Sequence, residues 1–179
     1  MAAIELQPFA RSDFDRLIGW IPSADFMLQW SGPQFEYPLT AAQLEEYICT
    51  AEMSPPLRYI YKAVDTDAGA AVGHIELSMT GADSGTVARV LVGDPALRGQ
   101  GIGRQMVGRA VEIAFLTLKL EALYLSVFEF NRAALACYRG LGFRVDRAPW
   151  RTYKFAGKER VTYRMCLLRS DWLQATGPV

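Results

Sequence analysis

At 179 residues, with 51% hydrophobic and 21% charged side chains, the chain is sized for one soluble domain with a substantial core. A formal net charge of zero argues against a general nucleic-acid binder. The most apolar stretch, Ala110 to Val127, is broken by Glu112, Lys119 and Glu121, so no run reaches the roughly 18 residues of a membrane span. The N-terminus shows no basic-then-apolar signal segment. Cys49, Cys137 and Cys166 are scattered and His74 is the only histidine, so neither a disulfide framework nor a Cys/His metal site is expected. Reduced thiols in a cytoplasmic protein are the simplest reading. The zero charge is uneven along the chain. Residues 1 to 53 hold eight acids and two bases, a balance of −6, and the rest carries +6, which hints at two kinds of partner.

In chain order, Ile4 to Phe9 reads as a first strand, and Ser12 to Trp20 as a short helix capped by Ser12. Residues 20 to 38 are aromatic and broken by Pro22, Pro33 and Pro38, which predicts a loop or short helices. Thr40-Ala-Ala-Gln43 is a capping-box pattern opening a helix through about Met53. Arg58 to Val64, Ala71 to Thr80 and Thr86 to Val92 are three strands of a meander, turning at Asp67-Ala-Gly69 and at Gly81 to Gly85. After the loop that follows, Met106, Val107, Ala110, Val111, Ala114, Phe115 and Leu118 make a sustained helical stripe. Leu123 to Phe128 reads as a buried strand, and Asn131 as the cap of a helix ending near Gly140 and Gly142. Trp150 to Phe155 and Val161 to Leu167 flank Gly157 as a hairpin. The order predicts an α/β fold of mixed α+β type: a mixed, mostly antiparallel sheet of about six or seven strands with helices packed on it.

Between the meander and the long helix lies "GDPALRGQGIG". A helix N-terminus offers unpaired backbone N–H groups and partial positive charge, glycines clear the approach, and Arg98 and Arg104 add charge. That is a recipe for a phosphate cradle. The Rossmann fingerprint fails in either register, and the Walker A pattern fails because no Gly-Lys-Ser/Thr follows. A tight strand-to-helix turn with no ligand is the alternative.

What does match is Arg98-x-x-Gly101-x-Gly103. With its place after the meander, it resembles the acyl-CoA pyrophosphate loop of the Gcn5-related N-acetyltransferase (GNAT) superfamily. "SVFEFNRAALACYRGLGF" resembles that family's second motif, here Val127, Asn131, Ala134, Tyr138, Gly142 and Phe143. The loop and closing hairpin most resemble the branch containing ribosomal-protein N-terminal and polyamine acetyltransferases. The resemblance is good over about residues 58 to 172 and only broad over 1 to 53. It implies one acyltransferase domain over 1–179, with 1–53 on the acceptor side and 58–172 as the CoA-binding core and hairpin. The implied activity is acetyl transfer from acetyl-CoA, as cosubstrate, to a primary amine by direct attack in a ternary complex, with no metal.

The resemblance also distributes roles. Backbone N–H groups over Arg98, Gly99, Gly101, Ile102, Gly103 and Arg104 would take the pyrophosphate. The cofactor arm would lie along the strand near Leu91 and Val92, where an N–H could polarise the thioester carbonyl. Residues 98 to 164 hold 13 bases against five acids, agreeing in sign with an anionic cofactor. Asn131 would help place that arm, or would simply cap its helix. Tyr138 would protonate the departing thiolate, a sensible direction for a phenol near pKa 10, or would be a core aromatic. For the base that deprotonates the amine, Glu76 and Glu129 are the candidates, each alternatively an exposed strand carboxylate. Trp30, Phe35 and Glu36 are expected in the acceptor wall, for a cationic acceptor. A non-catalytic acyl-CoA sensor or interaction module is the rival class. Nucleic acid and membrane are not expected as partners, and a homodimer is left open.

Overall fold

A computed structural model describes residues 3–155 and 157–177. The remaining positions of the expected 1–179 domain lie outside the described residues. Seven strands form one sheet: β1 (Ile4–Pro8), β2 (Arg58–Asp65), β3 (Ala70–Met79), β4 (Ser84–Val92), β5 (Ala122–Phe128), β6 (Arg144–Phe155) and β7 (Lys158–Leu168). Their order is β1-β2-β3-β4-β5-β7-β6, antiparallel throughout except for β4 against β5. Six α-helices accompany them: α1 (Phe14–Gly19), α2 (Ala24–Ser31), α3 (Ala41–Cys49), α4 (Ile102–Glu112), α5 (Arg132–Gly140) and α6 (Arg169–Thr176). The expected sheet and layer order are those observed.

Two hydrophobic clusters cover the two faces of the sheet. The stripe of α4, from Ile102 and Met106 to Val107, Ala110 and Val111, packs with Leu135 and Tyr138 of α5 against Val72, Ile75, Leu77 and Val87. The other face is covered by α1 to α3 through Leu17, Met27, Trp30, Leu44, Tyr47 and Ile48. Gly73 lets α4 sit close: a Cβ there would lie 2.6 Å from the Leu91 carbonyl and 2.8 Å from Met106.

Local chemistry explains several helix starts and some departures from the sequence reading. The Thr40 hydroxyl accepts from the Gln43 N–H at 3.3 Å and caps α3, which ends at Cys49 rather than Met53. Ser12 is not a cap. A 3₁₀ turn over Arg11–Asp13 leads into α1, and the Asp13 carboxylate instead accepts from the Ala10 N–H while pairing with Arg16 and Lys62. Within residues 20–38 the Ser23 hydroxyl caps α2, so most of the segment between Pro22 and Pro33 is helical. Strand β6 begins at Arg144, well before Trp150, because its pairing with β7 continues across an irregularity between Arg147 and Arg151. Helix α6 follows the hairpin and was not anticipated.

Two irregularities in β4 build the site. Its pairing with β5 stops after Ser84–Ala122, Gly85–Leu123 and Thr86–Tyr124, and the two parallel strands then separate. Its pairing with β3 also shifts: His74 faces Leu91 while Glu76 faces Ala88, so Arg89 and Val90 together oppose Ile75. Arg89 makes this bulge in the left-handed region at φ +51°, a conformation in which a non-glycine residue is uncommon.

Candidate active site

Where β4 and β5 part, a cleft of about 590 Å³ opens. One wall is β4 from Val87 to Val92 and the other is Ser126, Val127 and Phe128 of β5. The glycine loop (Arg98, Gly99, Gly101, Gly103, Arg104) closes one end, α5 contributes Asn131, Ala134 and Tyr138, and α2 contributes Phe26, Gln29 and Trp30. A separated strand pair leaves backbone donors and acceptors facing each other across the gap, and buried groups of that kind need a partner. The gap suits an extended, amide-bearing ligand laid in like an added strand.

The loop is shaped by its glycines. Gly99 and Gly101 have φ +80° and +85°, and Gly101 is the N-cap of α4. The first N–H groups of a helix have no intrahelical partner and carry partial positive charge. Here they open on the cleft. A Cβ on Gly103 would meet only Val92 Cγ2, at 3.8 Å, so that position is clear on the cleft side. Both loop arginines are also braces. Arg98 donates through Nε to the Val92 carbonyl at 3.1 Å and through Nη2 to that of Gly93 at 3.2 Å, with the Phe26 ring 5.3 Å away. Arg104 donates to the Gly140 carbonyl at 2.9 Å, tying α4 to the end of α5. Residues and loop fit a pyrophosphate-bearing ligand: open backbone donors, no side chain in the way, and net positive charge.

Asn131 lines the cleft and also caps α5, its side-chain oxygen accepting from the Ala134 N–H at 3.2 Å. Tyr138 lies about two turns further on, buried and lining the cleft, with Phe143 edge-on at 6.2 Å. Burial pushes its phenol well above the ordinary value, with the nearby Cys137 adding to the rise, so it stays protonated at neutral pH.

The two candidate bases have different surroundings. Glu76 is completely buried and does not line the cleft. It accepts from Tyr47 Oη at 2.5 Å and from Ser78 Oγ, and pairs with Arg89 and, at 3.6 Å, with Arg58. Burial alone would raise its carboxyl, but the Arg89 charge, the two hydroxyls and Arg58 outweigh burial and hold it below the usual carboxylate range. Glu129 sits just past the end of β5 and does not line the cleft either; its Oε1 is 3.4 Å from Arg160, and its buried Oε2 has no hydrogen-bond partner among the described residues. His74 is buried among Phe9, Trp30 and Tyr47, and its Nδ1 lies 3.2 Å from the Arg89 carbonyl. Burial drives that imidazole down to about 4, so it is neutral and structural at pH 7.

Of the expected acceptor residues, Trp30 lines the cleft, with its indole N–H bound to the Arg89 carbonyl at 2.9 Å. Phe35 stacks behind it at 5.6 Å, and Glu36 is exposed with its backbone N–H held by Gln43; neither lines the cleft. Phe26 and Gln29 do line it. They share a face with Trp30 at helical spacing, so of the two alternatives for residues 20–38, loop or short helices, the helical one places them. Arg89 had no sequence signal at all, since a bulge is a product of pairing.

Comparison with known proteins places the chain in a family. Residues 24–143 match the Acetyltransferase (GNAT) family. The chain belongs to that family. This GNAT chain is 32% identical over 79 residues to spermidine N(1)-acetyltransferase of Escherichia coli (strain K12), covering 44% of this chain and 42% of that protein. It is 37% identical over 71 residues to the N-alpha-acetyltransferase RimI of Mycobacterium tuberculosis, covering 40% and 42%. The chain thus matches less than half the length of these curated relatives. In fold it resembles spermidine N-acetyltransferase from Vibrio cholerae in complex with CoA and spermine, with a TM-score of 0.80 and 22% identity over 96% of this chain and 98% of that one. A dodecameric structure of the Vibrio enzyme gives a TM-score of 0.78 at 21% identity, covering 98% and 99%.

Proposed function

We propose that this GNAT chain is an acetyl-CoA-dependent N-acetyltransferase that acts on a primary amine in a ternary complex, the described fold working as one acyltransferase domain. The observation that carries the reading is the splayed β4–β5 pair, with the α4 glycine loop at one end and Tyr138 on its wall. Loop N–H groups from Arg98 to Arg104 hold the pyrophosphate of acetyl-CoA, and the β4 edge at Leu91 and Val92 pairs with the amide arm. A β4 N–H beside the bulge polarises the thioester carbonyl, where a fixed dipole in a dry cleft counts for more than it would in water.

The amine, entering past Phe26, Gln29 and Trp30, attacks the carbonyl carbon as the carbon–sulfur bond breaks. Tyr138 gives its proton to the sulfur, and the amine proton leaves through Glu129, directly or through water. Neither carboxylate lines the cleft, and Glu129 suits this better because, among the described residues, one of its oxygens is free of donors while Glu76 is engaged by two hydroxyls and two guanidiniums. Polyamines and protein N-termini are the acceptors that the named relatives suggest. The test is thiol release with acetyl-CoA and a panel of amines, in the wild type and in Tyr138→Phe. The variant should lose ~10²–10⁴-fold in turnover with CoA affinity kept, the usual contribution of a general acid. Full turnover at neutral pH would remove Tyr138 from the mechanism. CoA binding with no thiol release for any amine would favour the sensor reading.

A further inference from the structure

On the α3 side of β3 and β4, a buried carboxylate (Glu76) is bound by the hydroxyl of Tyr47, whose ring has Phe35 edge-on at 5.3 Å. A carboxylate with aromatic faces is a natural seat for an alkylammonium group. This seat is already filled from within. The Arg89 guanidinium pairs with Glu76 and lies 5.8 Å from the Phe35 ring and 5.3 Å from the Tyr47 ring. Arg58 approaches the same carboxylate at 3.6 Å and the Tyr47 ring at 5.4 Å. Two guanidiniums on one carboxylate leave an excess of one positive charge. Among the described residues Arg58 Nε and Arg89 Nε are buried without hydrogen-bond partners, and Arg58 Nη1 has only its 3.6 Å approach to Glu76, so the cluster lacks acceptors and not cations. Arg89 also lines the cleft, whereas Glu76, Phe35 and Tyr47 do not.

Resting on the acetyl-transfer reading, we propose that Arg89 is a built-in cation occupying the acceptor-side cage. It excludes polyamines and selects amines bearing at most one positive charge, such as the α-amine of a peptide. The physical reason is direct. A polyamine places a second ammonium within a few ångströms of the reacting one, and that charge meets a cluster of two guanidiniums and one carboxylate that carries one positive charge in excess. A peptide α-amine loses its only charge before attack and brings carbonyl acceptors instead.

The experiment uses the full chain loaded with CoA and titrated by calorimetry with spermidine and, separately, with a dipeptide amide. In parallel, kcat/KM is measured with acetyl-CoA for spermidine and for a dipeptide amide. In the wild type the dipeptide amide should be preferred and spermidine should bind weakly. Arg89→Gln should bind spermidine at least tenfold more tightly and move the spermidine-to-dipeptide ratio at least tenfold toward spermidine. Arg89→Lys, which keeps the charge, should retain wild-type selectivity, a rescue that a purely structural role for Arg89 would not give. Saturable spermidine binding to the wild type as tight as dipeptide binding overturns the assignment without any variant, as does an equal shift in the Gln and Lys variants. If the binding pattern holds and neither amine is acetylated, the transfer reading fails while the cage assignment stands.

Discussion

His74 shows how one buried side chain makes the fold depend on pH. It is sealed beneath Phe9, Trp30 and Tyr47, and its neutral ring accompanies the Arg89 carbonyl at the bulge. Burial depresses its folded value to about 4 from 6.5, while the Arg89 carbonyl and Glu76 pull the other way and Arg89 reinforces the fall. Between those two values the unfolded chain binds the proton more readily, so stability is full above about pH 6.5 and falls as the pH drops toward 4. The loss should be ~3 kcal/mol over that window. Denaturant melts of the wild type at pH 7, 5.5 and 4.5 should show it, and His74→Gln should flatten the slope above pH 4.5. A slope unchanged in that variant would place the acid sensitivity elsewhere. Asp13 is likewise held low: burial opposes, but the Ala10 N–H, Lys62 and Arg16 prevail, so its contribution is lost only at lower pH.

Helix α5 carries two functions through one residue at its start. Asn131 caps it and lines the cleft, and the helix presents Tyr138 to the same cleft. Removing a side-chain cap costs ~1 kcal/mol, whereas Asp caps as well as Asn. Asn131→Ala should therefore lower stability by about that amount and loosen the placement of Tyr138. Asn131→Asp separates the roles. It keeps the cap acceptor but loses the amide donors, and it brings a negative charge to the cleft proposed to hold the anionic cofactor. Unchanged stability with weakened CoA binding, by melt and calorimetry, would show that Asn131 holds the cofactor arm. Unchanged values of both would leave it a cap alone.

Across the whole molecule, the cleft lies at the seam of the sheet. Strands β1 to β4 stand on one side and β5, β7 and β6 on the other, joined beyond the splay only by loops and packing. A ligand lying there replaces the missing ladder and should stabilise both halves together. At CoA concentrations near 100 times Kd the gain is ~2.7 kcal/mol, a rise in Tm of roughly 5–10 °C for a chain of this size. Gly103→Val should abolish the shift. A Cβ there meets only Val92 Cγ2, at 3.8 Å, beside the proposed pyrophosphate site, so the unliganded Tm should change far less. A full ligand shift in that variant would move the phosphate site off the loop.

The sequence alone carried what is local. Helical and strand periodicity, the Thr40 and Asn131 caps and the glycine loop were all readable because each depends on neighbours within a few residues, and Arg98-x-x-Gly101-x-Gly103 with Tyr138 at its distance pointed to one family. Gln29 was obscured for a local reason too, since the prolines flanking α2 left loop and short helices both open. What only the tertiary structure decided depends on pairing between distant segments. The end of β4–β5 pairing after Thr86 creates the cleft, and the bulge at Arg89 shifts the strand's register. Glu76 became a buried ion-pair partner because Tyr47, Arg58 and Arg89 converge on it from three other elements. Nothing within reach of Glu76 along the chain could reveal that, because burial and charge pairing are set by what the fold brings across the sheet.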